Sequence, residues 1–282
     1  MPYRHLKARA LFSLLLCCAM ALTACSGSRD VAYQKAVDLF AGGDFEAAAA
    51  AFERLGDYQQ ALTYAAYSMG LVLLEKADYT GAEPYFEKSQ SFMYGKTRYH
   101  YCRAYGLQEG GQFLEAMELF KTLGEFENAL QGYYYCLGRA AEDAADYESS
   151  LYAYPLAAGY ADTDARLDNL QYEIYTRAMQ SKVDAITSME NPDDLRPDIA
   201  EDFQEALSLF TILGAYQSSR LHARDCIERL RQLKYDEAES MERDGKLQEA
   251  YEVFWALSGF NDAAARAEEL ASRLGIPIPD EE

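Results

Sequence analysis

Cysteine and histidine, the side chains most often used for nucleophilic and metal chemistry, are few in this 282-residue chain, which has six cysteines and three histidines. No pair of them has the spacing of a zinc motif. The chain also lacks the Gly-x-Ser-x-Gly turn of serine hydrolases and a glycine-rich loop for phosphate. The sequence therefore predicts a protein that is not an enzyme and that needs no cofactor and no metal.

Tyrosine is more informative, because four tyrosines recur at intervals of 34 residues: Tyr33, Tyr67, Tyr101 and Tyr135. We call this series the tyrosine ladder. A tyrosine ring offers apolar area, a polar hydroxyl and little rotamer entropy to lose, so the ladder suits a peptide-binding surface. The same spacing suits rings that pack between helices and contact no ligand. Both interpretations stay open, and Tyr64 and Tyr105, near the same face, add to the first.

The chain is strongly acidic, with 46 Asp and Glu, 26 Lys and Arg, and a formal net charge of −20 at pH 7. This charge argues against nucleic acid or anionic lipid as a direct ligand. Against this background, Arg220, Arg224 and Arg231 lie along one side of a predicted helix and are candidates for contact with an acidic partner segment. The alternative is that they pair with neighbouring acids such as Glu228.

The N-terminal residues predict export. An apolar run at residues 11–21 follows three basic residues and no acid, and it is shorter than the roughly 20 apolar residues of a spanning helix. The next four residues, Leu22-Thr23-Ala24-Cys25, resemble the lipobox of bacterial lipoproteins. The resemblance implies cleavage before Cys25 and a thioether-linked diacylglycerol on its sulfur. The alternative is an ordinary signal peptide with an incidental cysteine.

The lipobox resemblance also implies a location and a division of the N-terminal region. Residues 1–24 are then the signal peptide, and residues 25–30 are the lipidated N-terminus with a short linker. The protein is expected on the extracytoplasmic face of the cell membrane, or at the outer membrane if the host is Gram-negative. Its contact with the membrane is made through the diacylglyceryl group on Cys25.

An internal repeat organises the rest of the chain. Its copies begin at residues spaced by 34, then by 56 and 44: Phe45, Tyr79, Phe113, Tyr147, Phe203 and Leu247. Small residues follow three positions later: Ala48, Ala82, Ala116, Ser150, Ala206 and Ala250. Bulky aromatic residues follow after seven: Phe52, Phe86, Phe120, Tyr154, Phe210 and Phe254. A second aromatic follows after thirteen: Tyr58, Phe92, Phe126, Tyr160, Tyr216 and Phe260.

The offsets within each copy indicate helices. Positions separated by 3, 7 and 10 residues lie on one face of an α-helix, and glycines such as Gly43 and Gly111 permit the turns. Each copy therefore predicts a helical hairpin that buries its apolar faces against neighbouring hairpins. We expect about six hairpins. The two longer intervals predict elongated helices, from about Thr163 to Met189 and from about Ser218 to Arg243.

The period and pattern resemble the tetratricopeptide repeat (TPR) family. The Gly-x-aromatic turn, the small and bulky second-helix positions, and small first-helix residues such as Ala36 and Gly70 match the family. The family's early tryptophan and closing proline are absent. The resemblance implies an all-α, right-handed solenoid over residues 31–275, followed by a polar tail at residues 276–282. In this family the positions of the tyrosine ladder face a groove for peptides, which implies that Tyr33, Tyr67, Tyr101, Tyr135 and Tyr105 contact a ligand.

Three cysteines follow the lipidation position, an odd number for a disulfide framework: Cys102, Cys136 and Cys226. Each lies ten residues after the second aromatic of its repeat copy, and Ser68 occupies the same repeat position in the first copy. Equivalent sites on adjacent packed helices lie about 8–10 Å apart, beyond the limit of about 7 Å for a disulfide. The sequence therefore predicts buried structural thiols.

Taken together, these features predict a membrane-anchored, exported lipoprotein that serves as a non-catalytic scaffold or adaptor for a protein or peptide partner. Two alternatives stay open: capture of a solute, glycan or peptide at the surface, and service as a subunit of an outer-membrane assembly machine. Glycan capture is the weaker of these, because Trp255 is the only tryptophan.

Overall fold

The structure is a computed structural model that describes residues 27–190 and 199–277. Within these residues the protein is all-helical and has no strand. The signal peptide, Cys25, the Pro192–Pro197 break and most of the polar tail lie outside the described residues. No helix in the described part combines the length and apolar character needed to cross a bilayer.

The helices fall into two compact units divided between Ala161 and Asp162. Unit 1 contains α1 (residues 27–41), α2 (Phe45–Glu53), α3 (Ala61–Glu75), α4 (Tyr79–Lys88), α5 (Gly95–Glu109), α6 (Phe113–Leu123), α7 (Ala129–Asp143) and α8 (Tyr147–Leu156). Unit 2 contains α9 (Thr163–Glu190), α10 (Ile199–Leu213), α11 (Ser219–Arg243), α12 (Leu247–Ala256) and α13 (Ala263–Leu274). From α2 onward, each helix packs against the next helix of its own unit. The division falls where the 34-residue period ends.

The repeated small and aromatic residues form the core, as the sequence predicts. All six small residues of the second helices and all six bulky aromatics are completely buried. Three of the rings, those of Phe86, Phe120 and Tyr154, approach a glycine of a neighbouring helix, and two of these pairs show how closely. A methyl group added to Gly70 would lie 2.8 Å from the ring of Phe86, and one added to Gly132 would lie 2.8 Å from the ring of Phe120. Glycine is required at these two positions because a side chain would displace the ring.

The turns that begin α2, α4, α6, α8 and α12 share a residue with positive φ two positions before the helix. Gly43, Gly111 and Gly245 have φ of 82°, 75° and 80°, whereas Ala77 and Ala145 hold φ at 55° without being glycine. In three of these turns the aspartate before the helix accepts a hydrogen bond from a first-turn backbone N–H: Asp44 from Ala47, Asp78 from Gly81 and Asp146 from Ser149. These caps satisfy N–H groups that the helix leaves unpaired.

The two elongated helices are present in unit 2. α9 has 28 residues and α11 has 25, and the described ends lie within one residue of the predicted ones. At the rise of about 1.5 Å per residue, α11 is roughly 37 Å long. The last helix, α13, ends as expected at Gly275, whose φ is 70°.

The first helix begins earlier than the sequence predicts. Residues 27–30 are helical, so the expected linker at residues 25–30 is wrong for these four positions. Contacts with the next hairpin explain the extension. Arg29 donates a 2.9 Å hydrogen bond to the backbone oxygen of Leu55, and its guanidinium lies 4.6 Å from the ring centroid of Tyr58. The Tyr58 hydroxyl donates to Asp30.

The strained alanines generate a stability prediction. Replacing Ala145, whose φ is 55°, by glycine should raise the free energy of unfolding. An L-residue pays about 1–2 kcal/mol for this conformation, and the added flexibility of glycine in the unfolded chain offsets about 0.4–1 kcal/mol of it, which leaves a gain of roughly 0.5–1 kcal/mol. Urea denaturation of Ala145→Gly measures this gain.

The adjacent residue supplies the control. Ala144 has φ of −88°, which alanine adopts without strain. Ala144→Gly should therefore lower the free energy of unfolding by about 0.5–1 kcal/mol. Equal losses in both variants would contradict the strain at Ala145.

Candidate binding site

The structure places the tyrosine ladder inside unit 1. Tyr67, Tyr101 and Tyr135 retain 3%, 5% and 6% of their surface, and Tyr105 retains 7%. Tyr33 is half-buried. Because the rings pack between helices, the ladder does not form an exposed surface, and the expectation that its residues contact a ligand stays a prediction. The physical reason is that each tyrosine meets core aromatics edge to face, such as Tyr67 on Phe86 at 5.5 Å between ring centroids.

The ladder hydroxyls are used internally. Tyr101 and Tyr105 both donate to the side-chain oxygen of Asn128, at 2.5 Å and 2.8 Å. Tyr67 accepts a 3.2 Å hydrogen bond from Nε of Arg98, and Tyr135 accepts one of 3.1 Å from Arg139. Burial raises the pKa of Tyr101 well above its ordinary value. The Tyr101 hydroxyl therefore stays protonated, and all four hydroxyls serve as structural hydrogen-bonding groups.

Unit 1 contains a cavity of about 270 Å³ beside the ladder. Its walls come from α2, α3, α4, α5 and the turn before α7, and they consist of Phe45, Leu71, Leu74, Glu75, Tyr79, Arg98, Tyr101 and Glu127. Phe45 and Tyr79 are the first residues of α2 and α4, so two repeat turns form part of the wall. Tyr101 is the only ladder residue among these walls. The result is a largely apolar cavity with one cation and two carboxylates.

Arg98 is the central polar group of this cavity. Its side chain is half-buried, its Nε is held by Tyr67, and its guanidinium lies 5.7 Å from the ring centroid of Phe126. Among the described residues, Arg98 forms no ion pair, and neither do Glu75 and Glu127, which are exposed. A guanidinium oriented through one nitrogen keeps its remaining N–H groups for a carboxylate or carbonyl oxygen of a ligand.

One feature of the sequence distinguishes Arg98, namely the residue types at the equivalent positions of the neighbouring repeat copies. Arg98 lies three residues before Tyr101, on the same helix face. At the equivalent positions one period away, the chain has Tyr64 and Gly132. Tyr64 and Gly132 serve packing, Tyr64 by stacking on Phe52 and Gly132 by admitting the ring of Phe120, whereas the copy with Arg98 has a cation at this position. Constant residue types mark the packing columns of the repeat, and they do not single out position 98.

The three downstream cysteines are structural, as predicted. Cys102, Cys136 and Cys226 are free and completely buried. Burial raises the pKa of Cys102 and of Cys136 to about 12, so neither thiol is a nucleophile at neutral pH. In the part of the chain that the structure describes, no group of three or more His, Cys, Asp or Glu side chains is placed to hold a metal ion.

The three candidate arginines of α11 are exposed and differ in their partners. Arg231 forms a 3.1 Å ion pair with Glu228, which is the alternative that the sequence left open. Arg220 and Arg224 form no ion pair with any residue of the described ranges. Two of the three cations are therefore available to a partner.

Unit 2 also contains a polar cluster that the sequence analysis did not identify. Lys182 of α9 is 8% exposed, and its ammonium lies 2.7 Å from Oδ2 of Asp225 and 3.1 Å from Nδ1 of His222, both on α11. Because an ammonium only donates, Nδ1 of His222 accepts and its ring is neutral. The ring is tilted against Phe210 at 5.1 Å between centroids. The cluster joins α9 to α11 and satisfies a buried charge.

This cluster predicts pH-dependent stability. Burial, followed by the positive charge of Lys182, lowers the pKa of His222 in the folded chain. The unfolded chain then binds more protons, so this contribution to stability is complete above the ordinary histidine pKa of about 6.5 and is lost as the pH falls below it. Urea denaturation at about pH 7.5 and pH 5.5 should show a lower free energy of unfolding at the lower pH.

His222→Gln isolates the effect, because glutamine can still accept from Lys182 but does not titrate. The loss of stability between the two pH values should be smaller in this variant than in the wild type. His100, whose pKa burial also lowers, contributes equally to both proteins. The same pH response in both would contradict the assignment to His222.

In comparisons with known proteins, no family model matches this chain, and no curated protein sequence is significantly similar to it.

Proposed function

We propose that the protein is an exported, lipid-anchored adaptor with TPR-like hairpins, which binds an extended peptide segment of a partner protein in the cavity of unit 1. The observation that carries the proposal is Arg98, a half-buried cation without an ion pair among the described residues, at the wall of a cavity that combines apolar side chains with two exposed carboxylates. A partly desolvated guanidinium forms stronger hydrogen bonds to a carboxylate than one in water, so a ligand carboxylate is a suitable partner for it.

The lining defines the chemistry of the segment. Leu71, Leu74 and Phe45 provide apolar area for one bulky side chain, and Arg98 provides paired N–H groups for an adjacent carboxylate. Glu75 and Glu127 at the rim favour a basic residue of the ligand next to its apolar side chain and its carboxylate. Several such hydrogen bonds to a charged group, each contributing roughly 1.5–3 kcal/mol, suit a short peptide better than a small apolar solute.

The titratable groups of this cavity suit the binding of a charged segment. The titratable groups of its wall are two exposed carboxylates, an arginine and two tyrosines, and burial raises the pKa of Tyr79 to about 12. Neither tyrosine is a base at neutral pH. The wall of this cavity therefore supplies charged and hydrogen-bonding groups for recognition.

A crosslinking experiment tests the adaptor function. A photo-crosslinking amino acid in place of Glu75, at the cavity wall, should capture a discrete partner in the native cells. Arg98→Gln in the same protein should reduce the yield about tenfold or more, since one charge-assisted hydrogen bond to the ligand contributes roughly 1.5–3 kcal/mol.

Two matched controls accompany it. The same crosslinker at exposed Glu118 of α6 reports nonspecific capture. Arg103→Gln removes an arginine of the same helix that also bonds a tyrosine, Tyr99, at 2.8 Å but lies outside this cavity. If Arg98→Gln and Arg103→Gln leave the adduct equally strong, the cavity is not the binding site.

Membrane attachment is tested separately. Cys25→Ser removes the sulfur that a diacylglycerol requires, so the protein should leave the membrane fraction and lose incorporation of radiolabelled fatty acid. Ser26→Ala, which keeps the cysteine, should retain both. Retention of Cys25→Ser in the membrane fraction would exclude the lipid anchor and would leave the cavity proposal intact.

A further inference from the structure

The N-terminal half of α11 carries a stripe of exposed cations. Arg220, Arg224, Ile227, Arg231 and Lys234 follow one another at intervals of four and three residues, so they share one face of the helix. All five are exposed, and Leu221, at the flank, is 66% exposed. We call this surface the α11 stripe. It extends over about 21 Å at the helical rise of roughly 1.5 Å per residue.

The stripe differs in charge from the rest of the protein. Residues 220–234 contain five cations, the four of the stripe and Arg229, and two acids, Asp225 and Glu228, a net charge of +3 in a chain of −20. Both acids are already paired. Asp225 lies 2.7 Å from Lys182 and 3.8 Å from Arg229, and Glu228 lies 3.1 Å from Arg231.

Three cations of the stripe consequently lack a counter-charge. Arg220, Arg224 and Lys234 form no ion pair with the residues that the structure describes. Exposed charges cost little, so the stripe is not a defect of the fold. In a strongly acidic protein, however, it is the place at which an anionic group is attracted while the surrounding surface repels it.

The size of the occupant follows from this contrast. A nucleic acid or an anionic bilayer extends well beyond 21 Å and would meet the acidic surroundings, and two apolar side chains, Leu221 and Ile227, are too few for insertion among lipids. A short acidic segment touches the stripe alone. Its apolar residue can pack against Ile227, which lies within the stripe.

From the charge complementarity and the spacing, we propose that the α11 stripe docks an acidic amphipathic helix of a partner protein. Such a helix presents carboxylates at intervals of four and three residues, matching the cations, with an apolar residue at its centre. The surface is formed by unit 2 alone and does not depend on the cavity of unit 1. The contacts are solvent-exposed ion pairs, so binding is weakened by salt.

A designed peptide tests this with the full-length chain in detergent. The probe is a fluorescent helical peptide of about 16 residues, with glutamates four and three apart and one central leucine. Its fluorescence anisotropy should show binding at about 50 mM salt and weaker binding at about 300 mM. R220E/R224E should weaken binding at least about tenfold, because two exposed pairs become repulsive.

A charge-reversed peptide supplies the most specific outcome. With lysines in place of glutamates, it should fail to bind the wild type and should bind R220E/R224E. R54E/K76E, a matched reversal of two exposed cations of unit 1, should behave as the wild type with both peptides. R220Q/R224Q, which removes charge without reversing it, should weaken the acidic peptide by a smaller factor.

Several results would overturn the proposal. One is that R220E/R224E leaves the dissociation constant of the acidic peptide unchanged. Another is that the wild type does not bind this peptide at about 50 mM salt. Binding of the wild type, but not of the variant, to phosphatidylglycerol vesicles without binding of the peptide would assign the stripe to a membrane. Self-association of the wild type that is lost in the variant would assign it to a second copy of this chain.

Discussion

The packing of the hairpins depends on one contact, between a buried aromatic ring of one helix and a very small residue on its neighbour. Where the ring of Phe86 meets Gly70, and that of Phe120 meets Gly132, there is no room for a β-carbon. Gly138 meets the ring of Tyr154 in the same way, and completely buried alanines such as Ala36 and Ala104 lie in the same clusters as Phe52 and Phe120. The ring sets how closely two helices approach, and that distance sets which other side chains are enclosed. The burial of the tyrosine ladder follows from it.

Much of the secondary structure was predictable because periodicity reports packing directly. Helix positions, both kinds of turn and the two elongated helices follow from the spacing of glycine and aromatic residues. The start of α1 was not predictable, because residues 27–30 owe their helix to tertiary contacts of Arg29 and Asp30 with Tyr58. Nor did spacing reveal whether the ladder is exposed. A helix in a stack of hairpins has neighbours on several sides, so a constant column can face any of them.

The polar sites show a complementary rule. Positions that hold one residue type through the repeat maintain the packing, whereas the cation at Arg98 and the cluster around Lys182 occur once. Repetition therefore reveals architecture and hides individual recognition groups. Long-range pairs such as Lys182 with Asp225, 43 residues apart in sequence, require knowledge of which helices touch. Composition alone gives no indication that Lys182 is only 8% exposed in a protein whose other described charged side chains are in contact with water.

The three enclosed thiols have a consequence for biogenesis. A chain exported as proposed would emerge unfolded into a compartment where cysteines oxidise, and an odd number of them cannot all pair. Cys102 and Cys136 lie in α5 and α7 and are buried among residues from the one or two preceding helices, such as Tyr67 and Phe86 around Cys102 and Gln108 beside Cys136. Contacts between such neighbours form early in folding, because little loop entropy must be lost. Each thiol can thus be shielded before distant parts of the chain have folded, and the period of vulnerability to mispairing with other secreted proteins is kept short.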